Sequence, residues 1–279
     1  VYTDLFARQD AEAIPHIQLA READLLVIAP ATAHTIARLA YGLADDLLTC
    51  AVLATKAPVL VCPAMNAQMY SHPAVQENVE KLKQFGYQIL DPESGRMACK
   101  ENGGGRLPEW EIAREVMLRS LTIPDLAGEK ILITAGPTRE SLDPARFLSN
   151  RSSGKMGYSL ARTARRRGAE VTLITGPTAL ACPPDVNCVR VETAGEMHEA
   201  VLARCQQATV IVKAAAVSDF RPAVQFAGKV KKEQAELHLP LEQTQDILKE
   251  LGQLKAKAGF LLVGFAAESE DHVAAGEKK

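Results

Sequence analysis

The sequence predicts an α/β protein made of two doubly wound parallel-sheet domains. Three observations lead there. Short aliphatic runs alternate with stretches of helical periodicity from His16 to Phe265, the pattern of strands covered by helices on both faces. The alternation breaks once, at Thr122 to Glu129 (TIPDLAGE), and restarts at Ile131. Glycine, threonine and charged residues gather directly after the aliphatic runs, where an open parallel sheet binds ligands. The expected organisation is a first domain over 1–122, a linker over 123–129 and a second domain over 130–279.

In the first domain, Leu19, Ala20 and Ala23 close a helix that begins near His16, and Leu25 to Ile28 forms a strand. Pro30, Thr32 and Thr35 open a second helix with apolar positions Ile36, Leu39 and Leu43. A strand follows at Val59 to Cys62, then a loop (PAMNAQMY), a helix from Val75 to Phe85 and a strand from Tyr87 to Leu90. Asp91 to Trp110 reads as a long irregular loop, and Pro108 to Leu118 as a helix. In the second domain the strands are Ile131 to Thr134, Val171 to Ile174, Val210 to Val212 and Leu261 to Phe265. Its helices are Tyr158 to Arg167, Glu196 to Cys205 and Asp246 to Leu254. Four loaded connections, TAGPTRE, TGPTALACPP, KAAAVSDFRP and GFAAESE, should meet at one sheet edge.

The 279 residues suffice for two medium domains, and 47% hydrophobic with 24% charged residues is ordinary for a soluble chain. A formal charge of -2 and a pI near 6.4 leave no electrostatic footprint for nucleic acid or an anionic membrane. The apolar runs Leu25 to Ala31 and Phe260 to Ala267 are too short to span a bilayer. Small-molecule partners are expected. Six cysteines lack metal-type spacing, which predicts a reducing compartment, the cytoplasm, with Cys50, Cys62 and Cys205 as core residues. Cys182 and Cys188 flank a Pro-Pro pair and are close enough to approach, but no disulfide is expected there. No metal site is legible.

The stretch from Lys130 to Gly157 holds the densest chemistry. A buried strand empties through Gly136-Pro137 into Thr138, Arg139, Arg146, Asn150, Arg151, Ser152, Ser153 and Lys155 just before a helix. Amides and a positive dipole end at such a place suit a phosphate, although the glycine spacing is neither a P-loop nor a dinucleotide fingerprint and also fits a plain turn. Asn66, after a strand, either binds a carboxylate or caps the next turn. His16 is either a base or a structural histidine. Cys99, in a glycine-flanked loop beside Arg96 and Arg106, has the setting of a reactive thiol. The run Lys229-Val230-Lys231-Lys232 is either a solvated basic cluster or a set of mobile cations for a triphosphate. Asp219 is placed to hold magnesium, a nucleotide hydroxyl or Arg221.

Taken together, HIQLAREADLLVIAPATAHT, GLADDLL, PAMNAQMY and GRMACKENGGGRLPE in the first half, and ITAGPTRESLDPARFLSNRSSGKMG, AAAVSDFRP, KVKK and GFAAES in the second, run in a specific order. In that order they resemble the bacterial bifunctional phosphopantothenoylcysteine decarboxylase/phosphopantothenate-cysteine ligases of coenzyme A synthesis. The resemblance implies a flavodoxin-like flavoprotein domain that binds FMN, with contacts at Pro30, Ala31, Thr32 and Met65. It makes His16 the active-site base, Asn66 the holder of the substrate carboxylate and Cys99 the proton donor of the final reduction. Oxidation of the cysteinyl carbon next to sulfur gives a thioaldehyde that eases loss of carbon dioxide.

The second half is implied to be a Rossmann-like, nucleotide-binding ligase domain that takes CTP, Mg²⁺, phosphopantothenate and cysteine. Asn150 would handle the acyl-cytidylate, Arg146 the substrate phosphate, and Lys229 the developing charge. The remaining CTP contacts would be Lys213, Ala214, Ala215, Asp219, Gln245, Asp246, Ile247, Leu248, Phe265 and Lys279. The resemblance also implies a homo-oligomer, with trimer contacts through the first half and dimer contacts through the second. His34 stands where the decarboxylases usually show Asn. The family's glycine-containing flavin loop and a lysine just past Lys279 are missing from the sequence, so both ends are expected to be cut. Competing readings are a decarboxylase of another cysteine-ended substrate and a regulatory flavin-binding subunit. A nicotinamide dehydrogenase lacks its G-x-G-x-x-G motif.

Overall fold

A computed structural model describes residues 15–96, 102–230 and 239–265. The chain divides into two compact units, Val1–Thr122 and Ile123–Lys279.

The first unit runs α1 (Pro15–Glu22), β1 (Leu26–Ala31), α2 (Ala33–Tyr41), α3 (Leu47–Ala54), β2 (Val59–Pro63), α4 (Ala67–Ser71), α5 (Pro73–Gln84) and β3 (Gln88–Ile89). It ends with β4 (Glu93–Arg96), β5 (Asn102–Arg106) and α6 (Trp110–Ser120). Strands β1, β2 and β3 pair in parallel in that order. Every residue of β2 (VLVCP) is buried, as a strand covered on both faces requires. Ile28, Val59 and Val61 pack with Ile36, Leu39, Val52, Val79 and Leu82 to form the core.

Local chemistry sets the helix ends. Thr32 caps α2 by accepting from the Thr35 amide, and Gly42 closes it in the left-handed region at φ 67. The helix therefore stops before Leu43, which was expected on its apolar face and is 55% exposed. Helix α3, which the periodicity did not single out, starts at a reciprocal Asp46–Thr49 capping box. Burial opposes ionisation of Asp46, but the Arg38 guanidinium and the Thr49 donors outweigh it and hold the carboxyl at about 2.

The stretch 91–110 is not an irregular loop. β4 and β5 form an antiparallel hairpin, with Ser94 opposite Gly104 and Gly95 opposite Gly103. Glycine-rich strands escape propensity rules, and here the fourth glycine has a packing reason. A Cβ on Gly105 would fall 2.1 Å from the Met65 carbonyl oxygen, and the Met65 amide donates to Gly105 O at 2.9 Å.

The second unit runs β6 (Lys130–Ala135), β7 (Arg139–Asp143), β8 (Arg146–Ser149), α7 (Lys155–Arg166), β9 (Glu170–Thr175), β10 (Asn187–Arg190), α8 (Ala194–Cys205) and β11 (Val210–Lys213). It continues with β12 (Phe220–Pro222), β13 (Leu241–Gln243), α9 (Ile247–Ala258) and β14 (Leu261–Gly264). The parallel sheet has the order β10-β9-β6-β11-β14. Strand order therefore reverses between β6 and β11, which opens a crevice at their carboxyl ends.

Alternation along β6 fills both faces of this sheet. Ile131, Ile133 and Ala135 pack on Tyr158, Ala161 and Ala164 of α7. On the other face, Leu132 joins Met197 and Val201 of α8 and Ile247 and Leu251 of α9. The segment 123–129, expected as a linker, packs within this unit: the Leu126 amide donates to Arg167 O at 2.9 Å, and both Arg167 nitrogens reach Asp125 at 2.7 Å.

Four features depart from the sequence reading. β10 is an added strand, and the polar connections contain the hairpins β7–β8 and β12–β13. Cys182 and Cys188, expected as free thiols, form a disulfide, because the turn through Pro183 and Pro184 brings their Cα atoms within 6.3 Å. Cys62 and Cys205 are buried as expected, whereas Cys50 is only half-buried. Among the described residues no helix is long and apolar enough to cross a membrane.

Candidate functional site

In the second unit the connections after β6, β9 and β11 lie side by side at the carboxyl edge of the sheet. The Ala216 amide donates to Gly136 O at 2.9 Å and the Gly176 amide to Ala135 O at 3.0 Å. The backbones touch so closely that a Cβ on Gly176 would fall 1.7 Å from Pro137 O, and one on Gly157 would fall 2.5 Å from Ala135 Cβ. Gly157 thus lets the start of α7 rest directly on β6 and brings the positive end of its dipole to this edge. Of the fourth connection, Gly264 and Phe265 are described, and the Phe265 amide donates to Lys213 O at 3.4 Å.

Two buried threonines fix the loop after β11. Thr134 Oγ1 accepts from the Ala215 amide at 3.2 Å, and Thr138 Oγ1 accepts from the Ser218 amide at 2.9 Å. Over this loop, Asn150 Nδ2 donates to Ala216 O at 3.3 Å and to Val217 O at 2.9 Å. Below it sits Lys213, only 8% exposed, whose Nζ has no hydrogen-bond partner among the described residues. Burial lowers its ammonium from the ordinary 10.5 to about 8, against the opposing pull of Asp246.

Asp246 caps α9 by accepting from the Lys249 amide at 3.0 Å. Its turn is tied to the same loop through Thr244, whose hydroxyl donates to Ser218 O at 2.6 Å and whose amide donates to Asp219 O at 3.0 Å. Leu248 lies against Gly264, and Gln245, Asp219 and Phe265 are exposed around the turn. Arg221 is held by Glu242 at 2.6 Å rather than by Asp219.

A third group stands at the β7–β8 hairpin. Arg146 Nε donates to Asp143 at 2.9 Å, a second guanidinium nitrogen also reaches Asp143, and that nitrogen donates to Val230 O at 2.9 Å. Asp143 also accepts from the Val230 amide at 3.2 Å, which fastens the exposed Lys229 beside Arg146. The Arg146 guanidinium, together with backbone donors, holds the Asp143 carboxyl down at about 2. Sequence reasoning missed Asp143 and Thr244. The Asp143-Pro-Ala-Arg spacing, an acid placed to accept from its own turn, was the available signal.

In the first unit, Pro30, Ala31, Thr32, Met65 and Asn66 meet where β1 and β2 end. The Ala64 amide donates to Ala31 O at 3.0 Å. Asn66 Oδ1 accepts from the Gln68 amide at 2.9 Å, so it does cap the next turn. His16 lies in the first turn of α1, and its buried Nδ1 has no partner among the described residues. Cys99 and Lys279 lie outside the described residues. Among the described residues no three His, Cys, Asp or Glu converge as metal ligands.

Residues 126–279 match the family described as DNA/pantothenate metabolism flavoprotein C-terminal domain, and residues 1–120 match the flavoprotein family. The coenzyme A biosynthesis bifunctional protein CoaBC of Bacillus subtilis (strain 168) is 47% identical over 276 residues, 97% of this chain and 67% of that protein. The chain belongs to this family. Another member, CoaBC of Mycobacterium tuberculosis (strain ATCC 25618 / H37Rv), is 47% identical over 284 residues, again 97% of this chain and 67% of that protein. A crystal structure of the C-terminal domain of CoaBC is 47% identical and covers 56% of this chain and 73% of that one, with a TM-score of 0.49.

Proposed function

We propose that the second unit activates phosphopantothenate with CTP and joins it to cysteine, and that the first unit decarboxylates the product to phosphopantetheine with FMN. The protein is a bifunctional ligase and decarboxylase of coenzyme A biosynthesis. In the ligation, a substrate carboxylate oxygen attacks the α-phosphorus and pyrophosphate leaves. The cysteine amine then attacks the acyl carbon, and CMP leaves with the former carboxylate oxygen.

The buried, unpartnered Lys213 carries the ligase reading. A buried ammonium with no acceptor among the described residues is short of anionic partners, and nucleotide phosphates supply them. Ala214 and Ala215 follow it, the Phe265 amide reaches its carbonyl and Asp246 of the Gln245–Leu248 turn acts on its charge; Asp219 and Lys279 are assigned to the same set. The α7 N-terminus and Lys229 take the rest of the triphosphate charge, while Asn150 handles the acyl-cytidylate and Arg146 the substrate phosphate. Magnesium arrives on the phosphates of CTP.

For the first unit, an exposed Thr32 hydroxyl at the N-terminus of α2, beside Pro30 and Ala31, fits a flavin phosphate. The side-chain-free crossing of Gly105 holds the Met65 backbone close beside it. Bound there, FMN supplies the two-electron oxidation of the cysteinyl carbon. His16 acts as base, Asn66 holds the substrate carboxylate, and Cys99 returns a proton. Dimer contacts through the second unit fit the exposed Phe147, Phe220 and Phe226, trimer contacts fall to the first, and the working compartment is the cytoplasm.

The test is pyrophosphate release with phosphopantothenate, Mg²⁺ and either CTP or ATP before cysteine is added. CTP-dependent release is expected. No release with either nucleotide, also from a chain extended past Lys279, refutes the ligase reading.

A further inference from the structure

A cavity of about 430 Å³ opens at the carboxyl ends of β9 and β10. It lies across β6 from Lys213 and the α9 turn, because β9 and β11 flank β6 on opposite sides. Apart from Tyr158 in the first turn of α7, none of the residues assigned above to CTP, phosphopantothenate or FMN lines it. Its walls carry both signs of charge, Arg139 and Arg190 against Glu192 and Glu196, together with Tyr158 and Thr178.

These charges are not spent on one another. Arg139 lies over the Phe147 ring, 4.6 Å from its centroid. Glu196 accepts from the Glu192 amide at 2.7 Å and so belongs to the start of α8. Arg190 and Glu192 are exposed, and among the described residues neither side chain has a partner. The Val191 amide still donates to Thr175 O at 3.0 Å, so the strand path continues past Arg190. Residues two apart on such a path face the same side, with Cα atoms roughly 6.6 Å apart. The cavity thus presents a free cation beside a free anion.

A simple anion would meet Glu192, and a simple cation would meet two guanidinium groups. A ligand carrying both charges close together satisfies the set. Of the substrates in the proposed ligation, cysteine is the zwitterion. The cavity is also next to the acyl-cytidylate residues: Arg139 pairs in register with Ser149, the neighbour of Asn150, and the Thr178 methyl stands where a Cβ on Gly136 would come within 2.8 Å. We infer that this cavity receives the incoming cysteine, with Arg190 holding its carboxylate and Glu192 its ammonium until the amine is delivered to the acyl carbon. The inference rests on the ligase reading.

The test compares L-cysteine with cysteine methyl ester, which keeps amine and thiol but lacks the carboxylate, at saturating CTP and phosphopantothenate. The pyrophosphate burst formed before either is added is measured alongside. The unsubstituted chain should need about 10- to 100-fold more ester than cysteine, the range of a charged hydrogen bond. Arg190→Gln should raise the KM for cysteine by that factor and leave the ester and the burst unchanged. Glu192→Gln should raise both KM values. An unchanged KM for cysteine, equal changes for cysteine and ester in Arg190→Gln, or a lost burst in either variant overturns the inference. If neither the unsubstituted chain nor one extended past Lys279 gives a burst, the ligase reading fails, and calorimetric titration with L-cysteine decides the site. Heat that disappears in Arg190→Gln supports it, and heat that is absent or unchanged overturns it.

Discussion

Replacing Lys213 by Met keeps the unbranched stem and removes the buried charge. The ammonium is lowered from 10.5 to about 8 by burial, so keeping it charged at neutral pH costs the folded state roughly 3 kcal/mol. The sign follows from proton counts. Between pH 8 and 10.5 the unfolded chain binds more protons at this position than the folded one, so the stability of the native protein rises with pH across that window. Below pH 8 the penalty is present in full. Lys213→Met should therefore be more stable than the native chain by roughly 3 kcal/mol at pH 7 and by only about 1 kcal/mol at pH 10. Urea unfolding at pH 7, 8, 9 and 10 measures this. The single tryptophan, Trp110, belongs to the first unit, so the second is followed by circular dichroism. Tyrosine and cysteine titrations are common to both proteins and cancel in the difference. A difference independent of pH, or a variant less stable at pH 7, would refute the reasoning, because the amine would then have a partner or water around it. The same variant should lose CTP-dependent pyrophosphate release, since the destabilising charge is the one the nucleotide uses.

Nucleotide binding should draw a proton onto Lys213: at pH 8, titration with CTP in buffers of different ionisation enthalpy should show uptake of about half a proton, absent in Lys213→Met, and equal heats in all buffers would contradict it. Gly157→Ala places a methyl against Ala135 and should lower stability by about 1–3 kcal/mol and slow pyrophosphate release; an unshifted unfolding midpoint would show that α7 moves freely. Asn150→Asp sets a carboxylate against the Ala216 and Val217 carbonyls, so pyrophosphate should still appear while amide formation slows on the order of 100-fold, and normal rates of both would remove Asn150 from the mechanism. Asp143 is held at about 2 by Arg146, so its stabilising effect is complete above the ordinary carboxylate range and is lost as pH falls through about 2. Asp143→Asn should flatten that acid-side loss and raise the KM for phosphopantothenate by freeing Arg146, and an unchanged acid profile would count against the pairing.

Much of the site was legible because in a parallel sheet the chain must turn at each carboxyl edge. Polar residues at the ends of aliphatic runs therefore collect there, as Thr134, Thr138 and Lys213 do. Helix starts at Thr32 and Asp246 could be read for a similar local reason, a short oxygen-bearing side chain two or three residues from the amide it caps. The hairpins were not legible. Segments such as ESGR and NGGGR carry no strand propensity, and they pair because each supplies the other's backbone partners and because Gly105 fits over Met65.

By itself the sequence determined the two α/β units, the buried strands, the helix caps and the order of motifs that marks the family, all of which depend on residues near one another in the chain. Only the tertiary structure decided that Lys213 is buried without an acceptor among the described residues, that Asp143 reaches Val230 across 87 positions, that Cys182 meets Cys188, and that Arg190 and Glu192 line one cavity. Burial and pairing of charges are set by which surfaces the sheet brings together, and no local pattern along the chain encodes them.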